Sequence, residues 1–276
     1  MSQSEHFKFV QQLAQDLNSD DIKLPSFPDV VMGIRSALDD PESTAQDVAR
    51  ILGNDAVLAS RILILANSAF YNPAGIKIES LDAAVSRIGL IQVRTAAISF
   101  AIEQLYASED LAPLKDDLRT TWTEGMCIAS LSNAIARHCT DLDPESAFIA
   151  GLLNRIGVLY IFTQYNNYPG LLEDPEARQE LIDEWAAPIG ESIVGNWDFS
   201  EEIQGTLNPD EVETTRRRVE PNLADIITVA KLALQNDEVE FQDTPEARRL
   251  NIDPEQMPTI AEAYQKKLDS QFSVVS

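Results

Sequence analysis

The stretch AFIAGLLNRIGVLYIF, residues Ala147–Phe162, decides the fold, because only Asn154 and Arg155 interrupt positions that are otherwise apolar or small. A charge at its centre leaves it short of the roughly 20 uninterrupted apolar residues that a membrane span requires, so it reads as one buried helix with a polar insert. A guanidinium taken out of water needs a partner, which makes Asn154-Arg155 the first candidate for a site.

Outward from this stretch, apolar residues recur at three-and-four spacing, as in Leu58, Ile62 and Leu65 or Ile128, Leu131 and Ile135. Alternation of period two is nearly absent, so the fold class is all-α. Spacing and punctuation predict helices over 3–18, 28–39, 44–53, 55–67, 80–88, 90–107, 114–139, 144–163, 176–186, 188–197, 200–206, 221–235, 245–250 and 256–270. Asp-Pro-Glu begins at Asp40, Asp143, Asp174 and Asp253, with Thr244-Pro245-Glu246 a variant. Each offers a capping oxygen, a proline harmless in the first turn and an acid facing the positive helix end, so each is expected to open a helix. Gly53 and Gly89 stand where left-handed helix ends are favoured. Tyr71–Glu79 reads as a loop, Asn208–Glu220 as a mobile surface loop, and Gln235–Ser276 as a short helical appendix with a frayed tail.

A chain of 276 residues, 44% of them hydrophobic, is long enough to build a large core in one or two subdomains. Its net charge is −24, and residues 121–276, with 11 basic and 28 acidic side chains, carry most of it. Binding to nucleic acid draws on phosphate neutralisation by Lys and Arg, so neither nucleic acid nor an anionic membrane is an expected partner. The N-terminus has no basic start followed by an apolar run, which makes the cytoplasm the default location. Cys127 and Cys139 lie about 18 Å apart along one predicted helix and cannot bridge each other.

Several separated motifs resemble one family. Residues 54–72, NDAVLASRILILANSAFYN, are similar to the signature of the HD-related output domain, HDOD, with Asn67-Ser68 at its conserved pair of residue types. Leu24-Pro25 with Pro28, and SLDAAVSRIGL from Ser80 to Leu90, fit the same pattern, while AFIAGLLNRIG resembles the metal-binding segment of the parent HD phosphohydrolases. The resemblance covers roughly Leu24 to Leu234. It implies a multi-helical bundle of two packed subdomains, an HDOD-like domain over 21–235 that Ser108–Pro113 divides into 21–113 and 114–235; the helical pattern adds an N-terminal helix over 1–20 and an extension over 236–276.

In the HD enzymes, histidines and aspartates hold metal ions that activate water against a phosphate ester. Here the first ligand position falls near Glu124, the His-Asp pair is replaced by Asn154-Arg155, a later histidine falls near Ala186, and the final aspartate near Lys231. Arg155 and Lys231 would repel a divalent cation, so the resemblance implies a vestigial site with no cofactor. Glu124, Asn154, Arg155 and Lys231 become a candidate pocket, in which Glu124, Arg155 and Lys231 could join as an ion pair.

Asn67 reads as a helix cap with positive φ, or as a tie between the loop Tyr71–Glu79 and the core; Asn67, Ser68 and Tyr71 form the candidate partner surface. The two histidines, His6 and His138, lack any flanking nucleophile motif. The expectation is a non-catalytic signalling module that works through protein contacts, a homodimer among them. The alternatives are a phosphohydrolase acting on nucleotides or cyclic nucleotides, and a helix-turn-helix DNA binder with Gln92 and Arg94 near the start of its recognition helix.

Overall fold

A computed structural model describes residues 3–18, 29–40, 42–107, 109–208, 220–235 and 244–275, and every regular element among them is a helix. The order is α1 (Gln3–Asn18), α2 (Asp29–Asp39), α3 (Ala45–Leu52), α4 (Ala56–Asn67), α5 (Leu81–Ile88), α6 (Leu90–Tyr106), α7 (Lys115–Cys139), α8 (Pro144–Leu153) and α9 (Ile156–Thr163). It continues with α10 (Pro169–Leu172), α11 (Pro175–Asn196), α12 (Glu201–Gln204), α13 (Leu223–Gln235), α14 (Pro245–Arg249) and α15 (Met257–Val275). Leu24, Pro25, Pro28 and most of the expected mobile loop, 209–219, lie outside the described residues.

Capping chemistry starts many of these helices. Asp143 accepts the Ser146 N–H, Asp174 accepts those of Glu176 and Ala177, and Thr244 accepts that of Ala247, each with proline in the first turn. Two of the expected starts are corrected. Asp40 accepts the Glu42 N–H, but α3 begins later, where Thr44 and Asp47 form a reciprocal capping box. Asp253 opens a short 3-10 turn, and α15 follows from Met257.

Gly53 also departs from expectation: its φ is −63°, because the chain winds on through bonds from Asn54 to Ile51 and from Asp55 to Leu52, with no left-handed residue. Gly89, at φ 91°, does use positive φ, and α5 meets α6 there at 106°.

Two predicted helices are rearranged. Residues 144–163 form two helices, because Arg155 leaves helical geometry (φ −102°, ψ 9°) between α8 and α9. Conversely, 176–186 and 188–197 are one helix, α11, which carries Pro188 inside it and forgoes the bond that the residue 188 N–H would make. The C-terminal appendix is longer than expected, since α15 reaches Val275 and packs along α7.

The core is one continuous apolar cluster running from Phe9 to Ile260. Two glycines set its tightest crossings. A Cβ on Gly151 would lie 2.6 Å from the Ala129 Cα, fixing α8 on α7, and one on Gly157 would lie 1.9 Å from the Ala186 carbonyl oxygen, fixing α9 on α11. The helical run Pro144–Asn166 is in fact 23 residues, long and apolar enough to cross a membrane. The length argument made from the sequence therefore fails. What identifies this run as core is the break at Asn154-Arg155 and the burial of 78% of its most apolar window within the bundle.

Candidate functional site

The position expected to correspond to a metal site is built on α7 and the α8–α9 break. Asn154 ends α8, its N–H bonded to the Gly151 carbonyl, and Arg155 turns its side chain onto Glu124 as a half-buried ion pair. The Arg155 carbonyl accepts the Tyr106 hydroxyl at 3.0 Å, and the Tyr106 ring packs 5.7 Å from that of Trp122. Burial raises the Tyr106 hydroxyl well above its ordinary pKa, with Arg155 working against it and Glu124 adding to it. A neutral phenol is thereby kept as a donor that holds the break in place. Two donors, Arg155 Nε and Trp122 Nε1, are buried here without a partner.

Of the four candidate pocket residues, Glu124 and Arg155 are brought together, and Asn154 serves as a cap. Lys231 stands half-buried on α13, a helix packed against α7 and α8. Around Ala186 the backbone of α11 presses on Gly157. A divalent cation is held by imidazole, thiolate or free carboxylate, and the carboxylate at this position is taken by a guanidinium. Among the described residues no group of three His, Cys, Asp or Glu converges. The donor set does not fit the metal that the fold family implies.

The second candidate surface is better ordered than its sequence reading required. Asn67 ends α4 and bonds three ways: Nδ2 donates to the Leu63 carbonyl at 2.9 Å and to that of Ile78 at 2.8 Å, while Oδ1 accepts the Ile78 N–H at 2.8 Å. It is the tie between core and loop, and it does not use positive φ. Inside the loop, Asn72 is buried; its Nδ2 donates to the Ile76 carbonyl at 2.7 Å and its main-chain carbonyl accepts the Gly75 N–H, with Gly75 at φ 65°. Ser68 caps α4 through its N–H, while its buried hydroxyl has no partner.

Tyr71 is half-buried, its hydroxyl pushed up to about 12 by burial and then by Glu145, against the pull of Arg137. The sequence reading missed the apolar residues that this platform shows to solvent: Val57 (59% exposed), Ile64 (49%), Phe70 (48%) and Ile76 (68%). Their signal was present in α4, whose sequence AVLASRILILAN is apolar on both faces although only Leu58, Ile62, Leu65 and Ala66 are buried. A groove of about 1600 Å³ runs between this face and α15.

A third cluster was read only as capping. Glu145, 4% exposed, accepts the Lys267 ammonium of α15 at 3.1 and 3.2 Å and Asn133 Nδ2 at 3.1 Å, with an Arg137 nitrogen 3.8 Å away. The ammonium also sits 4.6 Å over the Phe148 ring. Burial holds Lys267 below its ordinary pKa; Glu145 opposes this, and Arg137 adds to it. Nothing in the spacing along one helix links Glu145 to a lysine 122 positions away.

The proposed recognition helix, α6, buries Val93 and all of residues 95–102, and Gln92 and Arg94 are both half-buried. Its bulk belongs to the core and leaves little face to enter a groove.

Residues 24–209 match the family model described as HDOD domain. A candidate metal-dependent phosphohydrolase from Shewanella amazonensis SB2B has a similar fold, with a TM-score of 0.75 at 24% identity over 97% of this chain and 99% of that one. An HDOD domain protein of unknown function from Geobacter sulfurreducens aligns with a TM-score of 0.70 at 22% identity over 95% and 96%. A candidate signal transduction protein from Marinobacter aquaeolei VT8 gives 0.62 at 18% identity over 98% and 65%. Among curated proteins, an uncharacterized protein of Treponema pallidum (strain Nichols) is 23% identical over 197 residues; the match covers 67% of this chain and 37% of that relative's length.

Proposed function

Since this chain belongs to the HDOD domain family, we propose that it is a non-catalytic signalling module of the cytoplasm which acts by binding another protein through the exposed face of α4 and its following loop. The observation that carries the reading is the set Val57, Ile64, Phe70 and Ile76, solvent-facing on a platform that Asn67 and Asn72 make rigid. Apolar side chains held in fixed positions are what a partner surface can bury without a large ordering cost. The likeness to a candidate signal transduction protein agrees in fold with this assignment.

The pairing of Glu124 with Arg155 supports the non-catalytic part, because it removes the charge pattern a metal would need. The likeness to a candidate phosphohydrolase motivates the competing reading, metal-dependent hydrolysis of a nucleotide.

Two measurements decide between them. Affinity capture from native cell extract is run with the parent, with Ile64→Glu/Phe70→Glu, and with Arg155→Glu. Loss of the same captured protein in the α4 variant only, with circular dichroism unchanged, supports contact through that face. Capture that is lost equally in Arg155→Glu moves the contact to the vestigial pocket. Stoichiometric manganese in the purified protein together with phosphodiester cleavage overturns the non-catalytic reading.

A further inference from the structure

In a chain carrying −24, one cavity concentrates the opposite charge. It occupies about 420 Å³ where α7, α8 and α15 meet the loop after α4, and its wall includes Arg137, His138, Lys266 and Lys267, with Glu145 the only carboxylate among the described residues that line it. Leaving His138 aside, the balance is two positive charges. Glu145 is already engaged by Lys267 and Asn133. Arg137 approaches it only to 3.8 Å, beyond hydrogen-bond range, so the guanidinium keeps donors for another acceptor. Lys266 faces the same space from α15, its ammonium 5.2 Å from the Phe70 ring. Gln92 and Tyr71 add polar groups, and the aromatic pair Phe70–Tyr71, centroids 4.7 Å apart and edge to face at 75°, gives the cavity an apolar wall.

Cations held in a recess attract anions more strongly than the same cations spread over a surface, because their field is focused there. A guanidinium beside an ammonium suits the oxygens of a phosphate, and the volume is that of a small organic molecule. We propose that this cavity binds a small phosphate-bearing molecule, with Arg137 and Lys266 contacting the phosphate and the Phe70–Tyr71 wall receiving its organic part. The site is separate from the vestigial metal position: Glu124 and Arg137 are 13 residues, about 20 Å, apart along α7. It shares Phe70 with the α4 face, and Lys266 also lines the groove beside that face, but binding of a small probe is read without any protein partner, so its failure and that of the partner reading are distinguishable.

The test is isothermal titration of the full chain at low salt with inorganic phosphate, pyrophosphate and the nucleoside 5′-monophosphates, on the parent and on Arg137→Ala, Lys266→Ala and Lys77→Ala. The expected result is a Kd below about 1 mM for at least one probe, weakened about tenfold or more by Arg137→Ala and by Lys266→Ala. Lys77→Ala, outside the cavity, leaves it unchanged. Tighter binding of the nucleotides assigns the aromatic wall to a base; equal binding of all probes leaves a phosphate site alone. In the unaltered protein, the bound probe should shield Lys266, and not Lys77, from acetylation read by mass spectrometry, which keeps the test valid if a variant misfolds. Absence of binding by every probe, or affinities that ignore both cavity substitutions while shielding is also absent, overturns the proposal.

Discussion

Replacing Lys267 with Met isolates what holds α15 to the bundle. The Glu145 carboxylate would lose contacts at 3.1 and 3.2 Å while remaining almost wholly buried. Breaking a buried ion pair from one side costs about 3–5 kcal/mol, because the surviving charge has no water to return to. Asn133 at 3.1 Å and Arg137 at 3.8 Å remain beside the carboxylate, so the low end, about 3 kcal/mol, is expected. Glu145→Gln should cost less, about 2 kcal/mol, since the long lysine stem can carry its ammonium toward solvent. The double variant should be about 1–3 kcal/mol more stable than the sum of the single losses implies. Urea titrations followed by circular dichroism give the four stabilities, and hydrogen exchange over 257–270 reports whether α15 detaches first. Strictly additive losses, each below about 0.5 kcal/mol, would refute the claim that this pair anchors the helix.

Gly157→Ala should destabilise by about 3 kcal/mol or more, since its Cβ meets backbone at 1.9 Å, whereas Gly170→Ala, with nothing within 4 Å, should be neutral or gain a few tenths; thermal melts separate the two. Asn67→Ala leaves the Ile78 N–H and carbonyl without partners and should cost about 2 kcal/mol, with faster hydrogen exchange confined to the loop over 70–79. Asp143 is raised by burial and lowered further by bonds from Ser146 and Glu145 and by Arg94, leaving its folded pKa below the unfolded one. Its contribution is therefore present above the ordinary carboxylate range and lost as pH falls through the folded value. Asp143→Ala should cost about 1 kcal/mol at neutral pH, and the gap to the parent should narrow below about pH 4 in chemical denaturation.

Much of the helical pattern was legible because its causes are local. Asp143, Asp174 and Thr244 announce helix starts through side-chain bonds to residues two or three positions on, and such bonds depend on nothing distant. The errors fall where tertiary contact overrides local preference. Arg155 breaks a helix that periodicity would continue, held by Tyr106 and Glu124 from two other helices. Pro188 sits within α11 where propensity would end it, against the close crossing at Gly157. At the α7–α9 site the pairing of Glu124 with Arg155 followed from opposite charge at aligned positions. The Glu145 cluster did not, because capping and ion pairing call for the same residue type and only the fold tells them apart.

The span of 122 residues between Glu145 and Lys267 also sets an order of events during synthesis. At about 5–20 residues per second, Glu145 is added to the chain roughly 6–24 s before the lysine that neutralises its buried carboxylate. Until then Glu145 must stay hydrated, so the side of α7 that α15 will cover cannot close. A nascent chain halted in that interval offers an unfinished, water-filled seam to chaperones or to another copy's α15, and exchange of that last helix between molecules is the misassembly this architecture invites.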